Sequence, residues 1–164
     1  DANHVVDHLS KAFCGEGQHL YVPAVVSHVQ TKRTLMKEDS IRQIMNAYDH
    51  LNVALVGIGT ADNTSSAFRS GYYSDEMKQQ AVKDQVCGDI CMHLFDKEGR
   101  TDCFPYNKQI VGVNLNKLKK VPYAIGIASG VRKAEAIRGA IKGGYINVLV
   151  TDAQCGQALT RLND

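Results

Sequence analysis

Three short apolar runs, "LNVALVGIG" (51–59), "VPYAIGIA" (121–128) and "YINVLV" (145–150), constrain this chain more than any other feature. Each is too short for a buried helix, is rich in β-branched residues, and gives way to small polar or glycine residues. The first is so uniformly apolar that it reads as a parallel strand covered on both faces. Between the runs lie segments with helical spacing, and strands alternating with helices imply an α/β fold with a mostly parallel sheet between helical layers.

The other elements follow from local chemistry. Val5, Val6, Leu9 and Phe13 recur at helical spacing at the start. "HLYVPAVV" (19–26) reads as a strand, with Pro23 marking an edge or a bend. Ser40 with Gln43 forms a capping-box pattern ahead of a helix that buries Ile41, Ile44, Met45 and Tyr48. A polar loop then leads to Ser74, whose hydroxyl can cap a helix carrying Asp75 and Glu76 in its first turn. "QVCGDICMHLFD" (85–96) reads as one strand, "DKEGR" (96–100) as a tight turn, and 101–113 as short antiparallel pieces. "NLNKLKK" (114–120) and "RKAEAIRGAIKGG" (132–144) read as helices, and Thr151 with Gln154 opens a final one. No linker or repeat divides the chain, so residues 1–164 are expected to form a single domain.

Composition excludes several classes. A net charge of +2 and a pI near 8.3 are too balanced for a nucleic-acid-binding surface. The apolar runs fall well short of the roughly 20 residues a membrane span requires. Cys14, Cys87, Cys91, Cys103 and Cys155 include no Cys-x-x-Cys pair and read as reduced thiols in a cytoplasmic protein. No Gly-x-Ser-x-Gly elbow is present, so covalent catalysis finds little support. His4, Asp7 and His8 have a spacing that could bind zinc, but no third ligand is near; neither metal nor cofactor is expected. Cys87 and Cys91, four apart on an expected strand, read as core packing.

The stretch "IASGVRKAEAIRGAI" (127–141) is the first candidate site. If a helix begins near Val131, then Ser129, Gly130 and the first helical amides face the crevice at the carboxyl end of a strand, where Lys133 can join them on a phosphate. The alternative is an ordinary βα turn beside a solvated lysine. Gly57 and Gly59 in "GIGT" permit close backbone approach but lack the third glycine of a dinucleotide fingerprint. Asp89 falls inside an apolar strand, where an unpaired carboxylate costs several kcal/mol. It either accepts structural hydrogen bonds or faces the crevice and accepts them from a polyol.

The motifs "VALVGIG", "RSGYYS", "VCGDICMHLFDKEGR" and "IVGVNLNKLKKVPYAIGIASGVRKAEAIRGAIKGGYINVLVTD", taken in order, resemble the effector-binding domain of SorC/DeoR-type sugar-responsive bacterial transcriptional regulators. The resemblance implies a fold related to ribose-5-phosphate isomerase and glucosamine-6-phosphate deaminase, a sugar or phosphosugar effector, and a homo-oligomer. It also implies operator binding only through a helix-turn-helix domain upstream of Asp1, and hence an N-terminally truncated domain here. It assigns Asp89 to ligand hydroxyls, Lys133 to phosphate, Gly130, Gly57 and Gly59 to close backbone approach, and Arg69 to an additional contact. Ser129 stands where the family commonly has glycine. Met92-His93 stands where a small residue and arginine often occur, which would make a charge there depend on pH near the histidine value of about 6.5. The expected role is non-catalytic sensing; the alternative is a phosphosugar isomerase or deaminase with Asp89 as base.

Overall fold

The computed structural model describes residues 2–162. Asp1, Asn163 and Asp164, at the ends of the expected 1–164 domain, lie outside the described residues. Strands β1 (Val53–Thr60), β4 (Tyr123–Ile127) and β5 (Val148–Val150) pair in parallel. On the other edge of β1, β2 (Gly88–Ile90) runs antiparallel and pairs in turn with β3 (His93–Phe95). The order is β3-β2-β1-β4-β5, with β2 alone running against the rest, so the sheet is mostly parallel.

Helix α7 (Ala134–Lys142) packs on one face of this sheet. Its Ala136, Ile137 and Ala140 meet Ile58, Ile90, Phe95 and Ala124 in one core cluster. Small residues set the spacing: a Cβ on Gly88 would lie 2.7 Å from that of Ala136. Burying side chains such as Ile137 and Phe95 contributes about 1.5–3 kcal/mol each. Helix α8 (Ala153–Arg161) packs against α7 and buries Cys155 in the same cluster. A second cluster joins Phe68, Tyr73, Leu94 and Phe104 to Met77 and Ala81 of α5 (Asp75–Lys83). The Ser74 hydroxyl caps α5 as expected, accepting from Met77 N at 3.3 Å.

The other sheet face is open among the described residues. Val53, Leu55, Tyr123, Ile127, Val148 and Val150 are all exposed there, so β1 is covered on one face and not two.

Several local expectations are corrected. Residues 85–96 form a hairpin, because Cys91 (φ 49°) and Met92 (φ 67°) both adopt the left-handed conformation of a two-residue type I′ turn. Cys87 and Cys91 therefore do not share a strand face: one precedes β2 and the other sits in the turn. Segment 19–26 is not a strand. Pro23 offers no N–H, and pairing shrinks to one bridge between Val25 and Ile110. Segment 101–113 contains a 3-10 turn, Pro105–Gln109, that places Asn107 beside β3. Its side chain accepts from Leu94 N and donates to Leu94 O, both at 2.8 Å, replacing a neighbouring strand.

Helix α3 (Asp39–Ala47) starts one residue before Ser40, which makes no cap bond. Asp152, rather than Thr151, caps α8 through Cys155 N at 2.9 Å. Helix α1 (Ala2–Ala12) forms as expected, whereas α2 (Val29–Leu35) and the short α4 (Ser66–Arg69) lay in segments without a helical reading. Helix α6 (Leu115–Leu118) is capped by Asn114. No helix among the described residues is long and apolar enough to cross a membrane.

Candidate functional site

After β1 the chain turns toward β2 on one side, whereas the strand on the other side of β1 is β4. The connections leaving these two adjacent carboxyl ends diverge and open a crevice, the position where open α/β sheets bind ligands. The cleft here has a volume of about 1030 Å³. Asp89, Lys133, Gly130, Ser129, Gly57, Gly59 and Arg69 all line it, so residues far apart in sequence converge on one site.

Asp89 forms the floor. Its residue pairs with Gly59 across the β1–β2 ladder, and a Cβ on Gly59 would run into the Asp89 carboxylate, with Cγ only 3.1 Å away. Gly59 thus makes room for this side chain. The carboxylate is 6 % exposed, and its Oδ1 has no hydrogen-bond partner. Burial pushes the carboxyl up to about 6, against the pull of the nearby Lys133 ammonium and a hydrogen bond from the Met92 amide. Asp89 lines the cleft, and its buried Oδ1 is left without a structural donor.

Lys133 reaches the same region from the opposite wall. Its Nζ donates to Ile58 O at 2.9 Å, which holds the half-buried amine over the end of β1. The helix start differs from expectation. Residues Val131–Lys133 form a 3-10 turn, and α7 begins only at Ala134. Gly130 has φ 96°, a conformation that favours glycine, and its amide donates to Asp152 Oδ2 at 2.6 Å. The Gly130 N–H is therefore engaged, and the amides of Val131 and Arg132 are the ones in this turn with no acceptor among the described residues.

The cleft wall also holds Arg132, so three cations, Arg69, Arg132 and Lys133, face one carboxylate. That balance suits an anion carrying hydroxyl groups. Gly57 has open space around its Cβ position, and Ser129 is exposed at the rim.

Sequence reasoning missed Arg132, Asp152 and the Cys91-Met92 turn. Arg132 adjoins Lys133, and Asp152 directly precedes a helix, a pattern that signals an N-cap. Nothing in "ICMH" signals a type I′ turn, which ordinarily takes asparagine and glycine.

His93 corrects another expectation. Burial is the main cause that pushes its imidazole down to about 4, so it is neutral at physiological pH and not poised near 6.5. Burial likewise pushes the thiols of Cys87 and Cys91 up to about 12. His4 and His8 approach each other at 3.1 Å while Asp7 turns to His19, also at 3.1 Å. Among the described residues no three histidine, cysteine or carboxylate side chains come together to hold a metal ion.

Comparison with known proteins gives a consistent answer. A family model described as a sugar-binding domain matches residues 1–161. The deoxyribonucleoside regulator of Bacillus subtilis is 34% identical over 150 residues, which cover 92% of this chain and 48% of that protein. The transcriptional regulator LsrR of Klebsiella pneumoniae is 33% identical over 143 residues, covering 85% and 44%. The full-length sorbitol operon regulator SorC of Klebsiella pneumoniae superposes with a TM-score of 0.85 at 29% identity, covering 98% of this chain and 51% of that one. The chain spans about half the length of the curated relatives it matches. By the extent of the family match and the agreement of fold and sequence, this chain belongs to the sugar-binding domain family found in SorC-type transcriptional regulators.

Proposed function

We propose that the cleft binds a phosphorylated sugar, and that occupancy controls operator binding by a helix-turn-helix domain elsewhere in a longer cytoplasmic regulator. Lys133 and the Val131 and Arg132 amides take the phosphate, Arg69 adds a contact at the wall, and Asp89 accepts sugar hydroxyls. The observation that carries this reading is the buried, unpartnered Asp89 Oδ1 beneath an ammonium held in place by Ile58 O. A carboxylate desolvated without a donor costs free energy that ligand hydroxyls offset. Control works by differential affinity: the effector binds one arrangement of a homo-oligomer better than another, and DNA affinity follows.

The enzyme alternative draws on the same carboxyl, since a value of about 6 suits a general base. The relatives matched are named as regulators, which supports non-catalytic sensing over that alternative.

A panel of pentose and hexose phosphates, with their parent sugars, tests both. Melting temperature reports binding and mass spectrometry reports turnover. A ligand at about 100 times its Kd stabilises by about 2.7 kcal/mol. Stabilisation by phosphosugars without product is expected. Turnover would install the enzyme reading, and stabilisation by parent sugars alone would remove the phosphate.

A further inference from the structure

A separate pocket of about 250 Å³ shares no lining residue with the cleft. Helix α2 contributes Lys32 to it, β3 contributes His93, and the segment between β3 and α6 contributes Asp102, Lys108 and Asn114. Lys32 is half-buried, and its ammonium makes no hydrogen bond or ion pair among the described residues. Burial lowers its pKa, the mark of a cation short of both water and a counter-ion. Asp102, the pocket's carboxylate, is exposed and forms no salt bridge with it.

His93 supplies the complementary group. Its Nδ1 lies 3.0 Å from Cys91 O, and a carbonyl can only accept, so the proton resides on Nδ1. In the neutral ring Nε2 then keeps a lone pair and waits for a donor. At the rim, Asn114 Oδ1 is occupied by Asn116 N at 2.8 Å, leaving its amide nitrogen to donate.

A cation beside an acceptor-only nitrogen asks for a molecule with an anionic oxygen and a hydroxyl on the same small frame. We propose that this pocket is a second binding site, for a small hydroxylated oxyanion of the size of monohydrogen phosphate, with Lys32 on a charged oxygen and His93 Nε2 accepting from the hydroxyl. The volume limits the ligand, being below the roughly 300–1,000 Å³ of ordinary ligand pockets. Because no residue is shared, this site stands or falls independently of the phosphosugar reading of the cleft.

Inorganic phosphate and sulfate, alike in shape and charge at pH 8 but differing in the hydroxyl, are the probes. Each is titrated into the full chain while the His93 ring resonances are followed by NMR. Phosphate should shift them saturably, and sulfate should bind about tenfold more weakly or worse, since it leaves Nε2 unpaired. The response should persist in Lys133→Met, which disables the cleft, and vanish in Lys32→Gln. No saturable His93 shift in the wild type, equal response to both anions, or an unchanged response in folded Lys32→Gln would each overturn the proposal. The comparison of the two anions needs no variant, so it holds even if Lys32→Gln misfolds.

Discussion

Replacing Asp89 by asparagine should make the empty protein more stable and the site worse. The side chain is isosteric, and the ladder between β1 and β2 is untouched. In the folded protein the carboxyl titrates at about 6 instead of the ordinary 3.8. A displacement of about two units corresponds to roughly 3 kcal/mol, at about 1.36 kcal/mol per unit. The sign follows from linkage: between pH 4 and 6 the folded state holds the proton that the unfolded state has released, so stability falls as pH rises through that window. Above pH 6 the whole cost is present, and Asp89→Asn removes it. At pH 8 the variant should melt higher by about 6–12 °C, taking roughly 2–4 °C per kcal/mol for a domain of this size. At pH 4 and below the two proteins should converge. Thermal unfolding across pH, followed by circular dichroism, measures this directly. A variant no more stable than wild type at pH 8 would mean that the carboxylate already has a partner, and the argument from its unmet acceptor would fail.

Three further outcomes test separate parts of the structure. Gln85 follows α5 with φ 57° in a Schellman-type end, where Val86 N donates to Ala81 O at 3.0 Å. Gln85→Gly should raise stability by about 1 kcal/mol in thermal unfolding, because a left-handed non-glycine residue costs about that much, and a lower melting temperature would contradict the cap assignment. Gly59→Ala should displace the Asp89 carboxylate, costing about 1–3 kcal/mol of stability and weakening ligand binding; unchanged affinity would show that the carboxylate lies elsewhere. Iodoacetamide at pH 7.5 should label exposed Cys14 well before Cys87 or Cys91, whose thiols titrate near 12, and rapid mass shifts on either would refute their burial.

The long-range frame was legible because it rests on strong local signals. Apolar runs giving way to glycine or small polar residues mark β1 and β4, the Ser74 hydroxyl marks the start of α5, and the glycine turn before Lys133 marks one wall of the cleft. What escaped the sequence was decided by tertiary contact. Asn107 mimics a strand beside Leu94, the segment around Pro23 pairs at a single bridge, and Cys91-Met92 turns a chain that local propensity would keep extended. Asp89 stands out as a polar residue in an apolar run, yet the sequence leaves its two roles equally open, and only the fold shows that its Oδ1 is buried without a donor. Nor does the sequence show that the Gly130 amide is already engaged: Asp152, from the turn after β5, accepts from it.

The central claim is that an anionic sugar is held at this cleft by the Lys133 ammonium. The most direct measurement is the ratio of Kd values, by calorimetry, for a stabilising phosphosugar and its unphosphorylated parent, in wild type and in Lys133→Met. A hydrogen bond to a charged group is worth about 1.5–3 kcal/mol, so the variant should weaken the phosphosugar about 10- to 100-fold and leave the parent nearly unchanged. Equal losses for both ligands, or none for either, would contradict the account.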